Sequence, residues 1–125
     1  MANNQREDDA KSDIKRRIAK EEKKLTEVMR DVPEDQVKTV DGLIKRAAFM
    51  RIQLENYEKD LNENGFVEMF AQDEKQEPYE RERPAARLHT QAVKVYAQVM
   101  RMLLDLVPSK PGTNTDPAYN EFFAS

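Results

Sequence analysis

Apolar side chains recur at intervals of three and four residues along three stretches of this chain. A helix with 3.6 residues per turn brings such positions onto one face, so each stretch predicts an amphipathic helix. The predicted helices span about residues 11–30, 34–63 and 84–107. The predicted fold class is all-α: the second and third helices form a long antiparallel hairpin, and the first helix packs beside it.

Proline and glycine mark the limits of these helices. Pro33 and Pro84 fit first-turn positions, where a missing backbone N–H leaves no helical hydrogen bond unmade. Gly65 follows Asn64 and fits the end of the second helix, because glycine readily adopts the conformation that terminates a helix. Gly42 lies inside the second helix, and a close approach by another helix would explain it there.

The third helix carries two apolar stripes instead of one. The first stripe consists of Leu88, Ala92, Val95, Val99, Met102 and Leu106. The second stripe consists of Val93, Tyr96, Met100, Leu103 and Val107. A helix that packs on one neighbour needs one stripe, so we predict that the other stripe completes a homo-oligomer. We assign the second stripe to that interface between subunits. The alternative is a monomeric three-helix bundle in which the first helix covers it.

The segments outside the helices lack helical periodicity. Residues 1–10 predict a disordered lead-in, and residues 71–83 predict a polar loop. The apolar run 66–70 is either a short strand or a loop laid over the helix ends. Residues 109–125 predict an extended tail, whose aromatic side chains either dock to a partner or strap the protein's own core. These side chains are Tyr119, Phe122 and Phe123.

Composition argues against several classes of function. The chain has 125 residues, no cysteine and one histidine, His89, so a thiolate or multi-histidine metal site is not available. The three glycines are scattered singly, which excludes a glycine-rich phosphate loop. We expect a single non-catalytic domain with no metal and no cofactor. No apolar run approaches the length of a membrane span, so we expect no membrane partner.

Charge is unevenly distributed, although the formal net charge is only −3. Acidic residues concentrate between 55 and 82, whereas the first predicted helix is rich in lysine and arginine. That helix presents either a solvated face of paired charges or a surface that contacts DNA phosphates. The candidate DNA-binding residues are Lys15, Arg16, Arg17, Lys20, Lys23 and Lys24.

Four motifs occur at helix starts and ends or within the second helix: LIKRAAFMR at 43–51, LNENG at 61–65, RPAA at 83–86 and LDLVPSK at 104–110. An acidic loop that contains a tyrosine precedes the third. With these motifs, residues 30–110 resemble the small subunits of phage terminases. The chain departs from the family pattern at three positions, which are Arg83, Asp105 and Lys110.

That resemblance implies an adaptor for DNA packaging. Terminase small subunits recognise viral DNA, assemble into rings and hand the DNA to a large subunit with ATPase and nuclease activities. The implied partners are further copies of this chain in a ring, double-stranded viral DNA, and the large subunit bound through the carboxy-terminal tail, all in the host cytoplasm. The alternative is a phage structural or assembly protein with no direct nucleic-acid role, which the net negative charge and the acidic loop favour.

Overall fold

The computed structural model describes residues 2–108, which form three long helices and one small sheet. The mainly helical class predicted from the sequence is confirmed. In chain order the elements are α1 (Ala2–Val28), a 3-10 turn (Glu34–Gln36), α2 (Val37–Asn64), β1 (Val67–Phe70), β2 (Tyr79–Glu82) and α3 (Pro84–Asp105).

The first helix begins nine residues earlier than its apolar pattern predicts. Residues 2–10, expected to be a disordered lead-in, are the first turns of α1. The side chains of residues 3–12 are exposed, so tertiary packing does not hold this part. It contains no glycine or proline, and Gln5 donates a hydrogen bond to Asp9 one turn further on, at 3.2 Å. Because no glycine or proline interrupts this segment, α1 continues beyond its packed portion.

The core is built around α2, which packs against both α1 and α3. Ala47 and Ala48, in the middle of α2, are completely buried. Their small side chains leave room for the apolar residues that the neighbouring helices contribute. The other members of the main core cluster are Leu25, Met29, Val32, Val40, Ile44, Met100 and Leu103.

The second stripe of α3 faces this core and not a free surface. Leu103 is 1% exposed and Met100 is 8% exposed, and both lie among side chains of α1 and α2. Tyr96 and Val107 are half-buried against the same cluster, whereas Val93 is 40% exposed. Placing Met100 and Leu103 at a subunit interface is therefore wrong, because the chain's own core already buries them.

The first stripe of α3 remains largely accessible instead. Leu88, Val95 and Met102 are 40%, 47% and 46% exposed. Val99 and Leu106 are half-buried at the edge of the core. The two stripes have the same period, so spacing along the chain does not decide which of them packs on α2.

Polar contacts also tie α3 to α2. Nε2 of His89 lies 3.0 Å from Oε2 of Glu58. Nearer the middle of α3, Tyr96 helps to raise the pKa of the Arg51 guanidinium above its ordinary value. These pairs place later residues of α3 beside earlier residues of α2.

The connection between α2 and α3 contains a second strand that the sequence pattern did not predict. The run 66–70 includes β1, and residues 79–82, expected to be loop, pair with it antiparallel as β2. Arg81 accounts for this polar strand, because its Nε donates to Oε1 of Glu68 at 2.8 Å. Its guanidinium carbon also lies 3.4 Å from the centre of the Phe70 ring. Such cross-strand contacts stabilise a short sheet.

The glycine inside α2 and the glycine that follows it have different environments. Gly65 ends α2 with φ +84°, a conformation that residues with a side chain rarely adopt. Gly42 is exposed, and no atom of residues 2–108 lies within 4 Å of the position of an added Cβ. No helix of this part of the chain makes the close approach that would have explained Gly42.

The predicted tail, residues 109–125, lies outside the described residues, and so do Tyr119, Phe122 and Phe123. Within residues 2–108, no helix combines the length and apolar character needed to cross a bilayer.

Candidate nucleic-acid interface

The six basic residues proposed to contact DNA all lie on α1, but they are not equivalent. Helical spacing places Arg16, Lys20 and Lys23 on the side of α1 opposite the buried Leu25, and Lys24 at the edge of that side, about a quarter turn from Leu25. All four are exposed, and we call them the basic face. Lys15 is also exposed but lies on the other flank of α1, about a quarter turn from Leu25 and on the opposite side of the helix from Lys24.

Arg17 fastens α1 to α2. Its guanidinium donates to Oε2 of Glu55 at 2.9 Å and to Oδ1 of Asn56 at 3.0 Å. Only 29% of its side chain is exposed. A guanidinium held by two partners on another helix is poorly placed to meet a phosphate, so we remove Arg17 from the candidate DNA-binding residues.

Nearby carboxylates neutralise part of the basic face. Arg16 forms an ion pair with Asp13 one turn earlier on α1. By contrast, Lys20, Lys23 and Lys24 have no carboxylate at ion-pair distance anywhere within residues 2–108. The three lysines are therefore the strongest cationic group on the basic face.

This group suits phosphate contacts better than base reading. Lysine ammonium groups are compact charges on flexible stems, which match single phosphate oxygens and lack the planar fork that recognises guanine. The basic face covers about 12 Å of helix between Arg16 and Lys24. It can therefore supply a few backbone contacts per copy, with an affinity that depends on salt and little on DNA sequence.

A second exposed surface lies on the small sheet. Phe66, Val67 and Met69 are 60%, 52% and 65% exposed. The strand register puts Glu82 opposite Val67 and Glu80 opposite Met69, so two carboxylates share a face with two apolar side chains. We call these five residues the hairpin surface. Its apolar members come from the run 66–70, but without the pairing of β2 the sequence did not indicate that acidic residues join them.

The described part of the chain offers little for a small ligand. A shallow groove of about 430 Å³ lies between α1 and α2, and its lining mixes basic and acidic side chains, including Arg17, Lys59 and Asp60. Among residues 2–108, no three histidine, cysteine or acidic side chains are grouped so that they could hold a metal ion. His89 is engaged with Glu58, as described above.

No family profile, curated protein or solved structure matches this chain. The resemblance of residues 30–110 to terminase small subunits therefore stays a prediction. The charged and apolar residues of the surfaces described above are the structural features that bear on function.

Proposed function

We propose that this chain is a non-catalytic adaptor for phage DNA packaging, of the terminase small-subunit type. In this proposal it forms a homo-oligomer, with a ring as its final form, in the host cytoplasm. The basic face of α1 binds double-stranded viral DNA, and the tail 109–125 recruits or regulates the large ATPase and nuclease subunit.

The observation that carries the DNA-binding role is the group formed by Lys20, Lys23 and Lys24. These lysines are exposed, lie on one side of α1 and have no ion-pair partner within residues 2–108. Each lysine that meets a phosphate releases bound counterions, and this release supplies most of the affinity of non-specific DNA binding. One copy provides few such contacts, so the proposed oligomer matters because it presents several basic faces to one duplex.

The proposed assembly uses an antiparallel hairpin of α2 and α3 as its rigid part. Contacts at both ends of these helices support that arrangement. Glu58 and His89 meet near the sheet, whereas Ile44 shares the core with Met100 and Leu103 towards the other end. Because α1 packs on α2, a rigid pair of α2 and α3 would hold α1 at the same position in every subunit.

DNA binding is tested by titrating a labelled duplex of unrelated sequence with the protein at several salt concentrations. We expect the logarithm of affinity to fall linearly with the logarithm of salt concentration between about 50 and 200 mM. A second duplex of different sequence should give nearly the same affinity. Failure to detect binding at the lowest salt concentration would contradict the proposed role.

The tail is tested separately, by capture of the proposed partner, a large ATPase and nuclease subunit. Replacing Tyr119, Phe122 and Phe123 with Ser should abolish capture, while affinity for DNA should stay at the wild-type value. If the triple variant captures the large subunit as well as the wild type, the tail aromatics do not dock it.

A second candidate function is a phage structural or assembly protein without direct nucleic-acid binding. The hairpin surface favours it, because Val67, Met69, Glu80 and Glu82 together form an apolar and acidic patch that repels DNA and suits a basic protein partner. The salt titration separates the two functions, since only the adaptor binds the duplex.

A further inference from the structure

The exposed stripe of α3 has the spacing of a coiled-coil seam. Its six apolar residues alternate steps of four and three without interruption, which is the repeat that two helices use to pack along their length. Three of these residues, Leu88, Val95 and Met102, occur every seventh position and are 40%, 47% and 46% exposed. We call these three residues the α3 seam. Within residues 2–108 no other element covers them.

We infer that the α3 seam binds the α3 seam of a second copy of this chain, with the two helices antiparallel. Leu88 and Met102 lie at equal distances from Val95 along the helix, so a two-fold axis at Val95 makes the seam complementary to itself. Each Leu88 then packs on Met102 of the partner subunit. The two copies of Val95 meet at the axis.

Charge selects the antiparallel orientation. Helical spacing places Arg87, Gln91, Gln98 and Asp105 along one flank of the seam. Antiparallel packing brings Arg87 beside Asp105 of the partner subunit at each end and pairs uncharged glutamines between them. Parallel packing would instead leave Arg87 about 27 Å along the axis from Asp105 of the partner subunit, because 18 residues separate the two positions, so this ion pair could not form.

Both charged residues are free to make these pairs. Arg87 and Asp105 are exposed, and within residues 2–108 neither has an ion-pair partner. Antiparallel packing also sets the positive amino-terminal end of each α3 beside the negative carboxy-terminal end of the other. The seam thus yields a dimer, and closing a ring requires a second, different contact between dimers.

This inference rests on the proposed self-association and is independent of DNA binding. Two valines of α3 make a matched test, since Val95 lies in the seam and Val93, at 40% exposure, lies outside it. The chain has no cysteine, so a single introduced thiol reports on its own position. We expect full-length Val95→Cys to form a disulfide-linked dimer on mild oxidation, and Val93→Cys to stay monomeric on denaturing gels. Equal cross-linking of the two variants would overturn the inference.

Light scattering on Val95→Glu and Val93→Glu gives a second readout that needs no oxidation. The Val95→Glu variant should stay folded by circular dichroism and dimerise at least tenfold more weakly than the wild type, while Val93→Glu should dimerise normally. A monomeric wild type would overturn the inference. If the wild type is monomeric but dimerises when Tyr119, Phe122 and Phe123 become Ser, the chain's own tail covers the seam and the inference is also wrong.

The α3 seam and the DNA-binding role can each fail without the other. A wild-type protein that binds DNA only as a monomer would contradict the seam and leave the DNA-binding role standing. A cross-linked Val95→Cys dimer that binds no DNA would support the seam and contradict that role.

Discussion

The guanidinium of Arg83 holds both carboxylate oxygens of Asp60, with Nη2 lying 2.9 Å from Oδ1 and 3.2 Å from Oδ2. Nη1 of the same side chain donates to the backbone carbonyl of Gly65 at 2.8 Å. The backbone N–H of Arg83 donates to the carbonyl of Phe66 at 2.9 Å. Arg83 therefore connects the last turn of α2 to the residue before α3 and closes the base of the small sheet.

This contact explains an arginine that is a poor helix cap by residue type. Arg83 precedes the first residue of α3 and makes no side-chain hydrogen bond to the backbone of that helix. Its side chain turns back to Asp60 instead. Arg83 thus has a structural role, in which it fixes where α3 starts relative to α2.

Asp60 should make stability depend on pH. Hydrogen bonds from Asn64 and Arg83 lower the pKa of the Asp60 carboxyl below its ordinary value of 3.8. A carboxyl with a lower pKa in the folded state stabilises the fold above its unfolded pKa, and this contribution is lost as the pH falls through the folded value. We expect Asp60→Asn to unfold at a lower urea concentration than the wild type at pH 7.

Below the folded pKa of Asp60, the urea midpoints of Asp60→Asn and the wild type should converge. Asp41→Asn is the control, because Asp41 pairs with Lys45 on an exposed part of α2 and should change the midpoint little. A difference between Asp60→Asn and the wild type that is the same at neutral and acid pH would contradict the role of this carboxylate.

Two glycine-to-alanine substitutions should have opposite effects on stability. Gly42→Ala should raise the free energy of unfolding by about 0.5–1 kcal/mol, because alanine is a better helix former and the added methyl meets open space. Gly65→Ala should lower it, because φ is +84° there. Urea denaturation of both variants measures these changes. A destabilising Gly42→Ala would indicate that another molecule packs on this side of α2.

The two stripes of α3 are distinguished by truncating two adjacent residues. Leu103→Ala should cost roughly 2–5 kcal/mol of stability, because Leu103 is 1% exposed and its removal leaves a cavity. Met102→Ala should cost well under about 1 kcal/mol when measured on dilute monomer, because Met102 is 46% exposed. Equal costs would mean that both stripes are core.

The helices of this fold are predictable from the sequence, but their orientation is not. Apolar residues spaced alternately by three and four positions predicted α2 and α3, and Pro84 predicted where α3 starts. Whether Leu103 or Met102 turns inward depends on how α3 rotates about its own axis against α2. That rotation is set by contacts such as the one between His89 and Glu58, which join residues far apart in the chain.

The basic surface was predictable only as a group of charges. Composition identifies α1 as basic, and spacing identifies the side it presents. The pairing of Arg17 with Glu55 joins residues that are 38 positions apart, so only the packing of α1 on α2 reveals it. Similarly, β2 is charged at three of its four positions, and contacts of Arg81 with Glu68 and Phe70, together with the edge-to-face packing of Tyr79 on Phe70, stabilise its strand conformation.

The most direct test of the DNA-binding role compares two variants with the same change of charge. The first carries Glu at positions 20, 23 and 24, in place of the three lysines of the basic face that have no ion-pair partner within residues 2–108. The second carries Glu in place of three exposed lysines elsewhere, which are Lys38, Lys59 and Lys94. Each variant exchanges three positive charges for three negative ones, so a difference between them reports the position of the charges.

The measurement is the salt dependence of affinity for a double-stranded DNA of fixed length. The variant at 20, 23 and 24 should bind at least tenfold more weakly than the control variant at about 50 mM salt. If each lysine meets one phosphate, the plot of log affinity against log salt concentration should be less steep for the variant at 20, 23 and 24 than for the control variant. The difference in slope should be about 2.7 per copy in contact with DNA. Equal affinities and equal slopes for the two variants would contradict DNA binding through the basic face of α1.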